Sequence, residues 1–436
     1  MKPYCVISCP IDCYSGYSSR SRDFVKALYE LKKDEWDIQI LAQRWGNTPW
    51  GYIEDHINDW EFLKNMLIPN NQLTRQPDYW YQITVPNEFQ PVGKLMNIGV
   101  TAGIETTICD PSWIDGINRM NETYVSSEHA KAVFESSSFE ERNQNQQVIR
   151  QIKLEKPIKV LFEGVDLNKY KFIEDSDLEE TELVLSLDEI KEEFNFLIVG
   201  HWIKGDIGED RKNIPATLKL FLETFKDKKN KPGLIIKTSH ASCSIMDRDG
   251  ILEKISKLKE SVDSKDLPNI YLLYGDLSDN DMNNLYNHQK VKAMISLTKG
   301  EGFGRPLLEF SISKKPIIVS GWSGQMDFLS TEFVSFINGE LRKIHPSAVV
   351  EKILVPESSW FTCDYNQARN ILIQMYEKYN SFLDNAKRQA FLSKDKFSFD
   401  KMKEKIQDLV KDYPKPIMLQ LPKLKKIELP KLNKIN

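Results

Sequence analysis

The chain has 436 residues, 41% hydrophobic and 28% charged, with a formal net charge of −4. This composition excludes a disordered chain, a collagen-like repeat and a small disulfide scaffold, and at roughly 100–200 residues per domain the length favours two domains. No apolar run approaches the roughly 18–20 residues needed to span a bilayer.

The opening MKPYCVISCPIDCYSGYSSR has a short apolar stretch but neither the h-region nor the small-residue cleavage site of a secretory leader. It reads as the first buried strand of a cytoplasmic enzyme. Cys5, Cys9 and Cys13 form C-x3-C-x3-C, one residue away from the C-x3-C-x2-C of an iron–sulfur loop. Cys5 and Cys9 share one face of an apolar strand, so burial as small hydrophobes is the expectation, with reduced thiols throughout.

Candidate strands follow at 4–9, 37–43, 79–85, 94–102, 122–127 and 158–164, with helical patterns such as SRSRDFVKALYELKK and EDHINDWEFLKNML between them. A second series starts at FNFLIVG (194–200) and continues through GLIIKTS, NIYLLYG, KAMISL and PIIVS. Near-continuous apolar strands alternating with helices predict parallel sheets covered on both faces. The expected fold is therefore α/β, with two Rossmann-like doubly wound domains facing a cleft, C-terminal helices and an extended basic tail.

The acid-rich stretch 171–192 reads as the interdomain linker. It gives an N-terminal domain over 1–186, a C-terminal domain over 187–395, a helix over 396–412 that could cross back to the first domain, and a tail over 413–436. The tail repeats LPKLxKI at 421–427 and 429–435, and proline in each copy forbids a regular helix. An extended strap is the favoured reading, with a peripheral membrane or partner contact by its lysines as the alternative. Residues 1–190 carry 19 Lys/Arg against 31 Asp/Glu, a balance that gives nucleic-acid binding no support.

In doubly wound sheets, ligands bind beyond the carboxyl ends of the strands. The strongest local signal lies there: KAMISLTKGEGFGRPLLEFSISKKPIIVSGWSGQMDFL, 292–329. A strand ends near Leu297, a glycine-broken loop runs over 299–304, and Pro306 suits a first helical turn. Glycines let amides approach a ligand, and the helix start adds partial positive charge. The loop is neither a Walker loop nor a dinucleotide fingerprint.

Glu301 and Glu309, separated by seven residues in EGFGRPLLE, resemble the E-x7-E motif of retaining glycosyltransferases of the GT-B fold, especially family 4. NETYVSSEHAKAVFESS (121–137), LFEGVDLNKY (161–170) and FNFLIVGHWIKGDIGEDRKNIPATLKLFLETF (194–225) resemble further elements of that family in the same order. The resemblance implies a nucleoside-diphosphate sugar as donor and a saccharide or glycoconjugate as acceptor. It also implies metal-independent front-face transfer, with no cofactor beyond the donor co-substrate.

It further implies roles for named residues. Lys212 and neighbouring Arg211 would face the departing diphosphate, and Glu301 would lie beside the transferred sugar. Glu309 would accept hydrogen bonds from the ribose, and the amides of Gly302, Phe303 and Gly304 would meet sugar or phosphate. Gly16 would meet the diphosphate from the first domain, with Tyr17 and Ser18 contacting the acceptor. The family's usual arginine after the strand glycine is replaced by His201, so either Arg211 substitutes for it or His201 makes a weaker contact. Glu105, in GVTAGIETTICDPSW, is a candidate active-site group or a salt-bridged structural carboxylate. Three Asp-x-Asp triplets, at 175–177, 247–249 and 279–281, fall in the linker or at helix starts. Asp caps amides at such starts, so no metal is expected.

Trp45, Trp50, Tyr52, Trp60, Tyr79, Trp80 and Tyr81 crowd the acceptor half, where aromatic faces suit sugar rings but more often fill a core. Two other readings stand beside the leading one. DNA carrying hydroxymethylated bases could be the acceptor, against the acidity of the first domain. A catalytically silent nucleotide-sugar-binding or scaffold module is the alternative of another class.

Overall fold

The computed structural model describes residues 2–202, 207–240 and 243–416. The repeat-bearing tail from 417 onward lies outside the described residues.

The first sheet is parallel throughout. Its strands lie in the order Asp37–Ala42, Tyr4–Cys9, Tyr79–Ile83, Met96–Thr101, Glu122–Val125 and Ile158–Val160. Tyr4–Cys9 and Tyr79–Ile83 are buried at every position, as a parallel sheet covered on both faces requires. The second sheet, also parallel, runs Ile270–Tyr274, Gly233–Thr238, Asn195–Val199, Val291–Ser296, Ile317–Ser320 and Ser335–Ile337. In each sheet the strand order reverses beside the first strand, which opens a crevice at the carboxyl ends of Tyr4–Cys9 and Asn195–Val199.

Apolar clusters cover both faces of both sheets. Cys5 and Cys9 are fully buried in the first of these, and all six cysteines are free thiols. Trp60, Tyr79, Trp80 and Tyr81 are core residues, whereas Trp50 lies exposed with Arg44 over its ring. Two antiparallel hairpins, Ser138–Arg142 with Val148–Lys153 and Gly339–Lys343 with Ser359–Cys363, escape the apolar pattern because most of their residues face solvent.

The chain passes between the two bodies twice, and the passages touch. Val165 donates its amide to the Phe397 carbonyl at 2.9 Å, and Phe399 donates to Val165 at 2.8 Å. From Val165 onward the chain packs under the second sheet: Val165, Tyr170, Leu187 and Ile190 share a core with Leu197 and Met294. The acid-rich stretch therefore includes a short helix, Glu182–Asp188, capped by the Thr181 hydroxyl, instead of forming a free linker. Its few apolar side chains are spaced along an otherwise acidic sequence, which hides their burial.

Helix Phe399–Val410 returns to the first body. Phe399, Met402, Ile406 and Val410 join the core beside helix Gly16–Lys32. Tyr413 follows them inward, its hydroxyl 2.6 Å from that of Tyr124 and donating to Glu122 at 3.1 Å. Tyr79 donates to the Pro414 carbonyl at 2.9 Å. Among the described residues, no helix is long and apolar enough to cross a membrane.

Candidate active site

The glycine loop leaves strand Val291–Ser296 and turns into helix Arg305–Ser311 at Gly304, whose φ of +101° favours glycine. Its other glycines serve a close approach between the bodies. A Cβ on Gly300 would lie 2.1 Å from the Glu105 carbonyl oxygen, and one on Gly302 would lie 2.8 Å from that of Ala102. The Ser126 hydroxyl closes the seam, 2.7 Å from the Ala102 oxygen and 2.9 Å from the Gly302 oxygen. Gly302 is thus packed against the first body. Phe303 turns its ring into the second core, 4.8 Å from Phe328.

The four residues expected to carry the chemistry meet at this seam. Lys212 donates to both Glu301 oxygens, at 2.7 and 2.8 Å. Arg211 lies 3.4 Å from Glu301, 3.4 Å from Glu105 and 2.7 Å from the Gly300 carbonyl. Glu105 belongs to the first body, so its pair with Arg211 spans the seam. Both cations are fixed by the start of helix Ile214–Phe225, where Asp210 accepts from the amides of Lys212 and Ile214 at 3.2 and 3.0 Å. Burial pushes the Glu301 carboxyl up, but Lys212 and Arg211 overrule it and hold the group below the ordinary carboxylate value. Burial likewise disfavours the Arg211 charge, and Glu105 and Glu301 more than restore it.

Glu309 is buried one turn into the next helix and accepts from Arg305 Nε at 2.7 Å. Burial dominates here and pushes its carboxyl up to about 7 against the pull of Arg305. Asp279 and Asp23 push in the same direction. Lys237 lies near the carboxyl end of strand Gly233–Thr238: burial lowers its ammonium, opposed by the charges of Asp276, Cys243 and Glu309. His201 stands at the exposed end of strand Asn195–Val199 with Nδ1 2.9 Å from the Ser239 hydroxyl. Desolvation and the charges of Lys212 and Lys237 lower its imidazole below the ordinary value, which favours the neutral ring. Lys237 was not legible in the sequence, since one lysine in an apolar strand looks like an ordinary strand end. Its place at the carboxyl end of a strand flanking the crevice was the available signal.

From the first body, Gly16 is exposed, and a Cβ there would meet nothing within 4 Å. Ser15 caps the following helix by accepting from the Ser18 amide at 3.1 Å. Ser18 is itself buried, with its hydroxyl 2.7 Å from that of Ser15, so it belongs to the cap instead of an acceptor surface. The Tyr17 ring stacks on Trp45 at 4.1 Å, and its hydroxyl lies 2.9 Å from Thr101 and accepts from the Ala102 amide. Asp247, Asp279 and Asp281 lie in first helical turns capped by Ser244 and Ser278. Asp279 pairs with Lys169 at 2.7 Å. Among the described residues, no cluster of His, Cys, Asp and Glu has metal-holding geometry.

No family model matches this chain, and no curated protein matches its sequence. Solved structures match over nearly the whole length. A glycosyltransferase from Rickettsia africae ESF-5 is 13% identical, covers 94% of this chain and 98% of its own, and superposes with a TM-score of 0.60. The sucrose-phosphate synthase of Thermosynechococcus elongatus is 10% identical over 94% and 98% of the two chains, with a TM-score of 0.58. The fold is GT-B. Anabaena Alr3699/HepE, solved in complex with UDP-glucose, shares this GT-B arrangement at 12% identity over 94% and 99% of the chains, with a TM-score of 0.57.

Proposed function

We propose that this GT-B protein is a retaining glycosyltransferase that moves a sugar from a nucleoside-diphosphate donor to a hydroxyl acceptor, a saccharide or glycoconjugate. One observation carries the reading: Lys212, Arg211, Glu301 and Glu105 form a single charged cluster at the seam between the two crevices. A diphosphate leaving group gains negative charge as its bond to the sugar breaks, and cations already fixed in place stabilise it without reorganisation. Lys212 supplies that charge, and Glu301 holds its ammonium in position until the donor arrives. His201 and Lys237 flank the path to Glu309, which accepts hydrogen bonds from the ribose.

In the transfer, the bond from the anomeric carbon to the diphosphate oxygen breaks. The acceptor oxygen bonds to the same face, and its proton passes to the departing phosphate oxygen. UDP-glucose bound to Anabaena Alr3699/HepE supports a nucleotide sugar in this crevice. The chain's own residues need no metal for these steps, because its cations already face the leaving group. A thermal-shift panel of UDP-, GDP- and ADP-sugars tests the reading, since a ligand bound to the folded state raises its melting temperature. One donor should give a clear rise; no shift with any of them would sink it.

A further inference from the structure

Arg305 stands where the two bodies and the second glutamate meet. Its Nε bonds Glu309 on its own helix, and its Nη1 pairs with Asp23 on helix Gly16–Lys32 of the other body. All three side chains are largely buried. Beside them Arg20, also on that helix, lies 3.4 Å from Glu163 and donates to the Leu161 carbonyl at 2.9 Å. Asp23 has no such second cation in contact, so its charge is matched by Arg305 alone among the described ion pairs.

A guanidinium offers two edges, and a carboxylate can take both prongs of one edge. Asp23 fixes Nη1, and Arg305 meets Glu309 through Nε on Oε1; among the described residues, Oε2 has no hydrogen-bond partner. Released from the Asp23 bond to Nη1, the guanidinium would be free to turn until Nη2, which shares an edge with Nε, reaches Oε2 and the pair with Glu309 uses both oxygens. We infer that Arg305 is a positioning residue whose bond to Asp23 keeps one Glu309 oxygen open for the ribose, so that apposition of the two bodies sets the affinity for the donor nucleoside. The inference deepens the reading of Glu309 as ribose acceptor and rests on it.

The test compares binding of UDP, GDP and ADP with their 2′,3′-dideoxy forms by calorimetry, in the full chain and in Asp23→Ala, Asp23→Asn and Asp23→Glu. The wild type should prefer the ribose form of whichever nucleotide it binds. Asp23→Ala should weaken that form about tenfold, the worth of roughly one hydrogen bond, and leave the dideoxy form within about twofold. Asp23→Asn, which keeps the volume, should move binding the same way by less, and Asp23→Glu should restore most of it. Equal weakening of both forms, or an unchanged ribose preference in Asp23→Ala and Asp23→Asn, would overturn the positioning role while leaving the donor site standing. A wild type that binds none of the three would overturn the function reading itself, and this inference with it.

Discussion

Lys212 Nζ lies within 2.8 Å of both carboxylate oxygens of Glu301, so the cation proposed for the leaving group and the acid proposed for the sugar are one ion pair. A buried pair of this kind contributes little net stability, yet breaking it is costly because the remaining charge is stranded.

Among the described residues, Lys212→Ala leaves Glu301 with Arg211, at 3.4 Å, as its one ion-pair partner. Turnover of the donor identified by thermal shift should fall at least about 100-fold, and unfolding by urea should show a loss on the order of 3 kcal/mol. Glu301→Gln should lose turnover with a smaller stability cost, since an amide still accepts from the ammonium. Wild-type turnover in both variants would remove this cluster from the chemistry.

The two glutamates respond to pH with opposite signs. Glu301 is held below its unfolded value, so its contribution is present above about pH 4.5 and disappears as pH falls through the folded value. Glu309 is raised to about 7, so its contribution is full below about pH 4.5 and disappears as pH rises through 7. Melting curves between about pH 5 and 8 should therefore show Glu309→Gln gaining stability relative to wild type toward the alkaline end. Binding of a nucleotide sugar should also tighten up to about tenfold from pH 6 to pH 8, following the ionised fraction of Glu309, and Glu309→Gln should flatten that rise.

Gly300 packs against the Glu105 backbone so closely that any side chain would push the bodies apart. Gly300→Ala should lower turnover far more than it lowers the melting temperature of either body. The ratio of the two effects, measured beside Gly250→Ala, where a Cβ meets nothing within 4 Å, separates a disturbed seam from a general loss of stability.

Helix Phe399–Val410 completes the first core from the far end of the chain. Ile406→Ala, at a fully buried position, should cost about 2–5 kcal/mol in urea unfolding. Truncation after Lys411 removes Tyr413, which bonds Tyr124 and Glu122, and should lower the melting temperature below that of a truncation after Lys415. Equal melting temperatures for the two truncations would show that Tyr413 contributes nothing.

Much of the architecture was legible because its signal is local. Apolar strands of five or six residues alternating with amphipathic helices specify covered parallel sheets, and the predicted strands at 4–9, 37–43, 79–85 and 194–200 form at those places. The polar hairpins left no apolar pattern to read, and the acid-rich stretch disguised side chains that pack under the second sheet. At the site, the gap between Glu301 and Glu309 marked the loop and the helix that bear them. It did not show that Ser18 is spent on a helix cap, that burial lowers the Lys237 ammonium, or that Asp23 reaches Arg305.

By itself, then, the sequence determined the elements, their covered faces and the loop–helix segment in which the glutamates sit, because propensity, periodicity and turn chemistry act over a few residues. Only the tertiary structure decided which charges meet. Glu105 with Arg211 and Asp23 with Arg305 lie far apart along the chain, on opposite bodies. Their pairing depends on how two independently wound sheets are brought together, and that is settled by the Gly300–Gly302 seam and by a C-terminal helix returning to the first core.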